Sequence, residues 1–306
     1  MNGEKWPFPN ALQGFWYKME QPNKIQLQFG LINRIASRFS GDFVRIGESI
    51  GQAGWGVGLD GSLSQYYMAT SSDYLGILNF SWESKERLKL NIWDYHLDNI
   101  SNTMLFETEV LLSPKRQFSI LALAIFQSRV GEGGNANPDL RYFTDNQAYS
   151  FGFRLRKKFE KSRFDLSFNK IGGRGRILMP REWGVEPFYT LQRRTRLEGA
   201  SGATSLVARY QQAIIKNSGE FSFSTSTGLH YLANPTVDHA KNKYLQPSNV
   251  DLDLAVKFSP TKQLKGASLE LFLMHLFLNQ DIENEPRLII NRVNFTQIDI
   301  TFNYAF

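Results

Sequence analysis

Period-two alternation runs through most of this 306-residue chain. EFSFSTSTGLHYL places Phe221, Phe223, Thr225, Thr227, Leu229 and Tyr231 on one face, and Ser222, Ser224, Ser226, Gly228 and His230 on the other. NVDLDLAVKF opposes Val250, Leu252, Leu254, Val256 and Phe258 to Asp251, Asp253, Ala255 and Lys257. AYSFGFRLRKKF, RFDLSFNK and the final NFTQIDITFNYAF follow the same rule. Successive side chains of a strand point to opposite faces, so each segment has one apolar and one polar wall. The segments are close to the ~10 residues that a tilted membrane-spanning strand needs.

The connections add a second rhythm. QPNK, KER, PKR, EKSR, NSGE and PTKQLKG are short, and they alternate with long stretches at about 36–72, 130–146, 173–203, 232–248 and 279–292. One brief connection, near Asn99 to Asn102, breaks the series. Short turns on one side and long loops on the other are the mark of an outer-membrane barrel. The pattern predicts an all-β, antiparallel, up-and-down transmembrane barrel. Its strands are expected at 12–19, 25–35, 73–83, 88–97, 103–112, 117–129, 147–159, 163–172, 203–215, 220–232, 249–258, 266–278 and 293–306. The segments 88–97 and 117–129 alternate poorly, with Trp93 and Tyr95 on the face of Lys89 and Asn91, and either a bulge or packing under a loop accounts for them.

The last segment puts Ile298, Ile300, Phe302, Tyr304 and Phe306 on one parity, a face suited to lipid with aromatics at the rim. The terminal Phe306 resembles the sorting signal read by the outer-membrane assembly machinery. Composition agrees: 24 Phe, 12 Tyr and 6 Trp accompany no Cys, which removes disulfides, zinc–thiolate sites and thiol nucleophiles together. The net charge of +6 is spread rather than blocked, which disfavours a nucleic-acid partner. No apolar h-region opens the chain. Thirteen strands leave the first and last running the same way, whereas bacterial barrels of this kind use even numbers. The expectation is one domain over residues 1–306 that lacks its N-terminal strands and signal peptide.

Three motifs suggest chemistry and lack its context. GESIG at 47–51 matches G-x-S-x-G with Ser49 as nucleophile, but QAGWGVGLDG follows where the elbow needs a helix. GVGLDG at 56–61 fits a phosphate-binding turn, again without its helix. GEGGNANPD at 131–139 lacks the spaced carboxylates of a calcium loop. No catalytic residue, metal or cofactor is expected.

The polar faces carry more information. Arg154, Arg156 and Arg209 point inward in the central strands, and Asp251, Asp253, Glu270 and Asp299 point inward in the last three. Opposed basic and acidic walls set a transverse field that orients polar solutes. The segment PREWGVEPFYTLQRRTRLEG at 180–199 holds Arg181, Arg193, Arg194 and Arg196, three Glu (Glu182, Glu186, Glu198) and the aromatics Trp183, Phe188 and Tyr189. This balance suggests an ordered loop folded into the barrel mouth. Its guanidinium groups either grip carboxylates or hold a plug through Arg–Glu pairs.

This segment resembles the OprD family of outer-membrane porins, in which P-R-E-W-G-x-E-P-F leads to R-x-R-x-E-G. The matching residues are Pro180, Arg181, Glu182, Trp183, Gly184, Glu186, Pro187 and Phe188, then Arg194, Arg196, Glu198 and Gly199. GLINRIASRFSGDFVRIGESIG and LNIWDYHLDNISNTMLFETEVLL also resemble the family, and the likeness runs from about residue 12 to the end. It implies a barrel of eighteen strands, of which these are the last thirteen, and an inward-folded 173–203 loop that narrows the pore. It implies uptake of small carboxylate-bearing solutes, with Arg181, Arg194 and Arg196 at the constriction. The chain departs from the pattern at Thr195 and Leu197, where more polar or charged residues are usual.

The reading is a monomeric outer-membrane porin whose partners are small solutes, lipid and the assembly machinery. Two alternatives are an outer-membrane barrel hydrolase and a plugged structural or adhesion barrel.

Overall fold

A computed structural model describes residues 10–304, apart from 23, 38–40, 53–55, 85–86, 116, 217, 261–263, 265 and 280–293. Phe306, to which the sequence assigns the assembly contact, and most of the 279–292 connection lie outside the described residues. The strands are β1 (Ala11–Gln21), β2 (Ile25–Ala36), β3 (Phe43–Arg45), β4 (Leu75–Glu83), β5 (Leu88–Leu97), β6 (Ser101–Ser113) and β7 (Phe118–Arg129). They continue as β8 (Gln147–Lys158), β9 (Ser162–Ile171), β10 (Thr204–Lys216), β11 (Gly219–Tyr231), β12 (Asn249–Pro260), β13 (Ala267–Leu278) and β14 (Phe295–Tyr304). Each strand of the main path pairs antiparallel with its neighbours in chain order, and β3 is a short addition beside β2. Among the described residues, the thirteen long strands fall where the alternation places them, and only β3, a three-residue strand inside a long connection, is extra. β1 and β14 lie at the two ends of the sheet and run in the same direction.

The outward rows are apolar and exposed: Phe151, Phe153 and Leu155 on β8, Leu252 and Val256 on β12, Ile298, Ile300 and Phe302 on β14. Exposed apolar rows of this extent belong against lipid, where the backbone is already satisfied by the ladder. The inward rows of the central strands are largely buried, but not uniformly polar. Leu121, Leu123 and Ile125 of β7 point inward and are buried, as are Leu75 and Ile77 of β4.

What buries them is connection 172–203. It packs Ile177, Phe188, Tyr189 and Leu197 against Leu105, Leu121, Leu123 and Ile125. A second cluster joins Ile32, Ile35, Ile77 and Leu97 to Ile46, Ile50, Phe143, Leu178 and Trp183 from the long connections. Packing under a loop therefore explains the poor alternation of β5 and β7. The register shifts lie elsewhere, at Gln13/Gly14 and Leu111/Ser113. At the first, a Cβ on Gly14 would sit 2.1 Å from the Leu31 carbonyl oxygen, so the β1–β2 approach there requires glycine.

Candidate pore constriction

Connection 172–203 reaches across the concave face of the sheet. Leu178 and Gln127 of β7 exchange two hydrogen bonds, of 2.9 and 2.8 Å. The Tyr189 hydroxyl donates to Glu107 of β6 at 2.9 Å. Thr190 meets Asn169 of β9, Gln192 meets Ser226 of β11, and Thr195 donates to both Asn249 and Asp251 of β12 at 3.0 Å. Arg193 closes the span with a 2.5 Å ion pair to Asp299 of β14. One loop thus touches strands from β6 to β14.

Two of the inward strand arginines, Arg154 and Arg209, serve this loop. Arg154 donates to the Tyr189 carbonyl at 2.6 Å and to Ser167 at 2.9 Å, with its guanidinium 4.5 Å from the Tyr189 ring centroid. Arg209 donates to the Leu191 carbonyl at 2.8 Å. Arg156 forms a two-pronged pair with Asp165, at 2.9 and 3.3 Å, and Arg163 adds a third contact to that carboxylate. Asp253 accepts from Ser226 at 3.3 Å, and Asp251 from Thr195. Arg154 and Arg156 stand on β8 and Arg209 on β10, with Asp165 of β9 between them; Asp251 and Asp253 stand on β12, Glu270 on β13 and Asp299 on β14.

The loop arginines divide. Arg181 and Arg196 line a cavity of about 450 Å³ together with Glu186 and Glu198. Its other walls are mostly apolar, among them Ile35, Ile77, Leu105, Met179 and Trp183, with Ser101, Thr103 and Gln127 as polar exceptions. Arg194 lies apart, exposed, donating to Gln297 of β14 at 2.7 Å. Arg181 stacks on Tyr244 with 4.3 Å from guanidinium to ring centroid. Glu182 does not face the cavity; it accepts the Gly51 N–H at 2.9 Å and ties two connections together.

Burial shapes the charges of this cluster. Glu186 accepts the N–H groups of Leu197 and Glu198 at 2.9 and 2.8 Å. Burial nonetheless pushes its carboxyl up to about 7, against the pull of those two donors and of Arg196. Burial also raises Glu198, opposed by Lys243 and Arg181. Burial lowers Arg196, and the neighbouring Arg181 guanidinium adds to that push.

Thr195 and Leu197, the departures from the family pattern, are core residues: Thr195 bonds into β12 and Leu197 is 1% exposed. The sequence singled out neither Tyr244 nor Lys243 from connection 232–248, yet both sit against the loop. Lys243 lies over three rings, those of Tyr66, Tyr142 and Tyr244. Their signal in the sequence is a lone Lys-Tyr pair, which reads as ordinary loop.

The chemical motifs resolve into turns. Gly47–Ser49 is one turn of 3-10 helix, and Ser49, fully buried, donates to the Ile46 carbonyl and accepts from the Trp183 indole at 2.9 Å. Its hydroxyl is committed to structure. Val57 bridges Leu63 and turns back without a helix. A Ser205–His230 pair at 2.6 Å has nucleophile–base geometry, with His230 held by Gln192 at 2.8 Å, but neither side chain is open to a substrate. Among the described residues no group of three or more His, Cys, Asp or Glu could hold a metal.

An antiparallel sheet with its strands paired in chain order and an exposed apolar outer face has the architecture of a transmembrane β-barrel wall. Solved structures agree. OccAB3 of Acinetobacter baumannii superposes with a TM-score of 0.69 at 14% identity, over 98% of this chain and 69% of that one. OccAB4 of the same organism gives 0.67 at 14% over 96% and 65%, and OccK8 (OprE) of Pseudomonas aeruginosa 0.64 at 12% over 87% and 67%. The chain has the fold of these Occ/Opd, OprD-type outer-membrane channels and spans about two thirds of their length. No family model and no curated protein matches its sequence.

Proposed function

We propose that this chain forms the wall and loop constriction of an outer-membrane diffusion channel for small carboxylate-bearing solutes, amino acids or organic acids, working as a monomer. The observation that carries the reading is the joint placement of Arg181 and Arg196 on one roughly 450 Å³ cavity with mostly apolar opposite walls. Guanidinium groups in such a setting are weakly screened and match a carboxylate with paired N–H donors. Selection then rests on pore width and lining charge, and no bond need be broken. The likeness of fold supports the outer membrane as its place, and the aromatic end of the sequence is the basis for reading Phe306 as the contact for the assembly machinery.

The test is single-channel current across a planar bilayer, using protein extracted from its native membrane, with and without small carboxylates. Stepwise currents that fall on adding a carboxylate, and lose that response in Arg181→Ala/Arg196→Ala, support the reading. Steady steps indifferent to carboxylates would leave an unselective pore. A second reading, a plugged barrel, is favoured by the bonds from Arg154 and Arg209 to loop carbonyls. It predicts no steps until those arginines are removed.

A further inference from the structure

The charge excess of this chain has a place in the fold. Among the described residues, turns 113–117, 157–162 and 216–219 hold Lys115, Lys157, Lys158, Lys161 and Lys216 against a single acid, Glu160. They are neighbours in space: the Lys158 N–H donates to Gln117 at 3.0 Å, and the Ala213 N–H to Lys161 at 2.8 Å. The inward carboxylate of β9, Asp165, is already taken by Arg156 and Arg163. Lys115, Lys158, Lys161 and Lys216 are exposed, and among the described residues no ion pair reaches any of them.

Two of these lysines stand in the lipid-facing rows. Lys157 continues the exposed row Tyr149, Phe151, Phe153 and Leu155 of β8, and its ammonium lies 5.3 Å from the Phe159 ring centroid. Lys216 continues the row of Leu206 and Ile214 on β10, with its ammonium 5.9 Å from the Phe221 ring centroid. Each ammonium is thus anchored on an aromatic ring where the apolar band ends. In a membrane that height is the headgroup layer.

We infer that the short-turn end of β7–β11 is a binding collar for the phosphate headgroups of anionic phospholipids, with Lys157 and Lys216 gripping from the lipid side and Lys115, Lys158 and Lys161 from the tips. The lipid-facing rows decide between partners. A wall polymer or a soluble protein meets the turn tips, whereas Lys157 and Lys216 lie behind them, against the bilayer. A purely solvated charged surface has no reason to carry two cations on the apolar rows. The inference depends on the sheet spanning a membrane, not on which solute passes.

The experiment places the purified protein in phosphatidylcholine vesicles with a trace of spin-labelled phosphatidylglycerol or spin-labelled phosphatidylcholine. The motionally restricted fraction of each label gives their relative association with the barrel. About one cation's contribution corresponds to roughly a fivefold preference for the anionic lipid at low salt. That preference is expected to shrink at ~1 M salt, where screening acts within about 3 Å. It is expected to fall towards one in Lys157→Gln/Lys216→Gln, which leaves the turns intact. Heat-modifiable migration on gels checks that the variant is folded. Equal association of the two lipids with the wild type overturns the collar, as does a preference unchanged in Lys157→Gln/Lys216→Gln and in the five-lysine Gln variant. Cosedimentation with cell-wall sacculi that depends on Lys115, Lys158 and Lys161, with no lipid preference, assigns the surface to the wall polymer and also overturns it.

Discussion

The Lys243 ammonium lies 4.7 Å from the centroid of the Tyr66 ring, and the same distance from that of Tyr142. Those two rings meet edge to face at 5.1 Å, and Tyr244 adds a third ring at 5.3 Å from the ammonium. The backbone of Lys243 takes part as well, donating to Gly199 and accepting from Val57. One lysine thereby knits four long connections together. Removing the charge in Lys243→Met, with the stem kept, should weaken the cage by about 1–2 kcal/mol, the range of a desolvated cation–π contact. A double-mutant cycle with Tyr66→Leu, read from thermal melting, should show coupling of that order. Additive single effects would mean that the lysine acts through its backbone alone.

Connection 172–203 should respond to pH through Glu186. Its carboxyl is held at about 7 in the folded loop, against an ordinary 4.5. A raised acid is favoured in its protonated form, so the contribution is fully present below about 4.5 and lost as pH rises through about 7. The gap corresponds to roughly 3 kcal/mol, as an order of magnitude. The loop should therefore pack more tightly at pH 5.5 than at pH 8. Hydrogen exchange at the Leu197 and Glu198 amides, corrected for intrinsic rates, measures this directly. Glu186→Gln should lower protection, because one acceptor is lost, and should flatten its pH dependence. A wild-type slope in that variant would move the titration to Glu198.

Strands were legible here because a sheet with lipid outside and a loop packed inside must alternate, and the alternation is written residue by residue. Phe221 to Tyr231 shows it without structural help. The poor alternation of Phe118–Arg129 also had meaning, since Leu121, Leu123 and Ile125 face a loop core. The candidate site was legible in part. Arg181 and Arg196 do share a cavity, but nothing in LQRRTRLEG distinguishes Arg194, which leaves for β14. Arg154 and Arg209 could be assigned to the inner face by parity, yet parity is silent on what a side chain meets there. They meet loop carbonyls. The cage around Lys243 was beyond reach, because its rings come from connections far apart in sequence.

Arg154 and Arg209 should therefore behave unlike Arg181 and Arg196. Each strand arginine satisfies a loop carbonyl, and a hydrogen bond from a charged donor is worth about 1.5–3 kcal/mol. Arg154→Ala and Arg209→Ala should lower thermal stability and raise conductance or current noise as the loop loosens. Arg181→Ala and Arg196→Ala should leave the step size nearly constant and reduce the block by added carboxylates. If all four variants shift conductance alike, the loop is one electrostatic unit and the division between holding and lining residues fails.

Leu197 offers the sharpest check that the loop is a folded core. It is buried with Phe188 and Tyr189 of the loop and with Leu121, Leu123 and Ile125 of the wall. Its N–H group is held by Glu186. Leu197→Ala removes buried methyl groups and leaves a cavity, at about 2–5 kcal/mol. The rigid strands around it limit collapse, which places the effect toward the upper part of that range. The substitution touches no charge, so any change in current comes from loop packing alone. Protease cleavage within 172–203 should accelerate in Leu197→Ala and stay slow in Leu197→Met, which nearly keeps the volume. Equal cleavage in the two variants, both as slow as wild type, would show that the loop is held by its hydrogen bonds rather than by its apolar core.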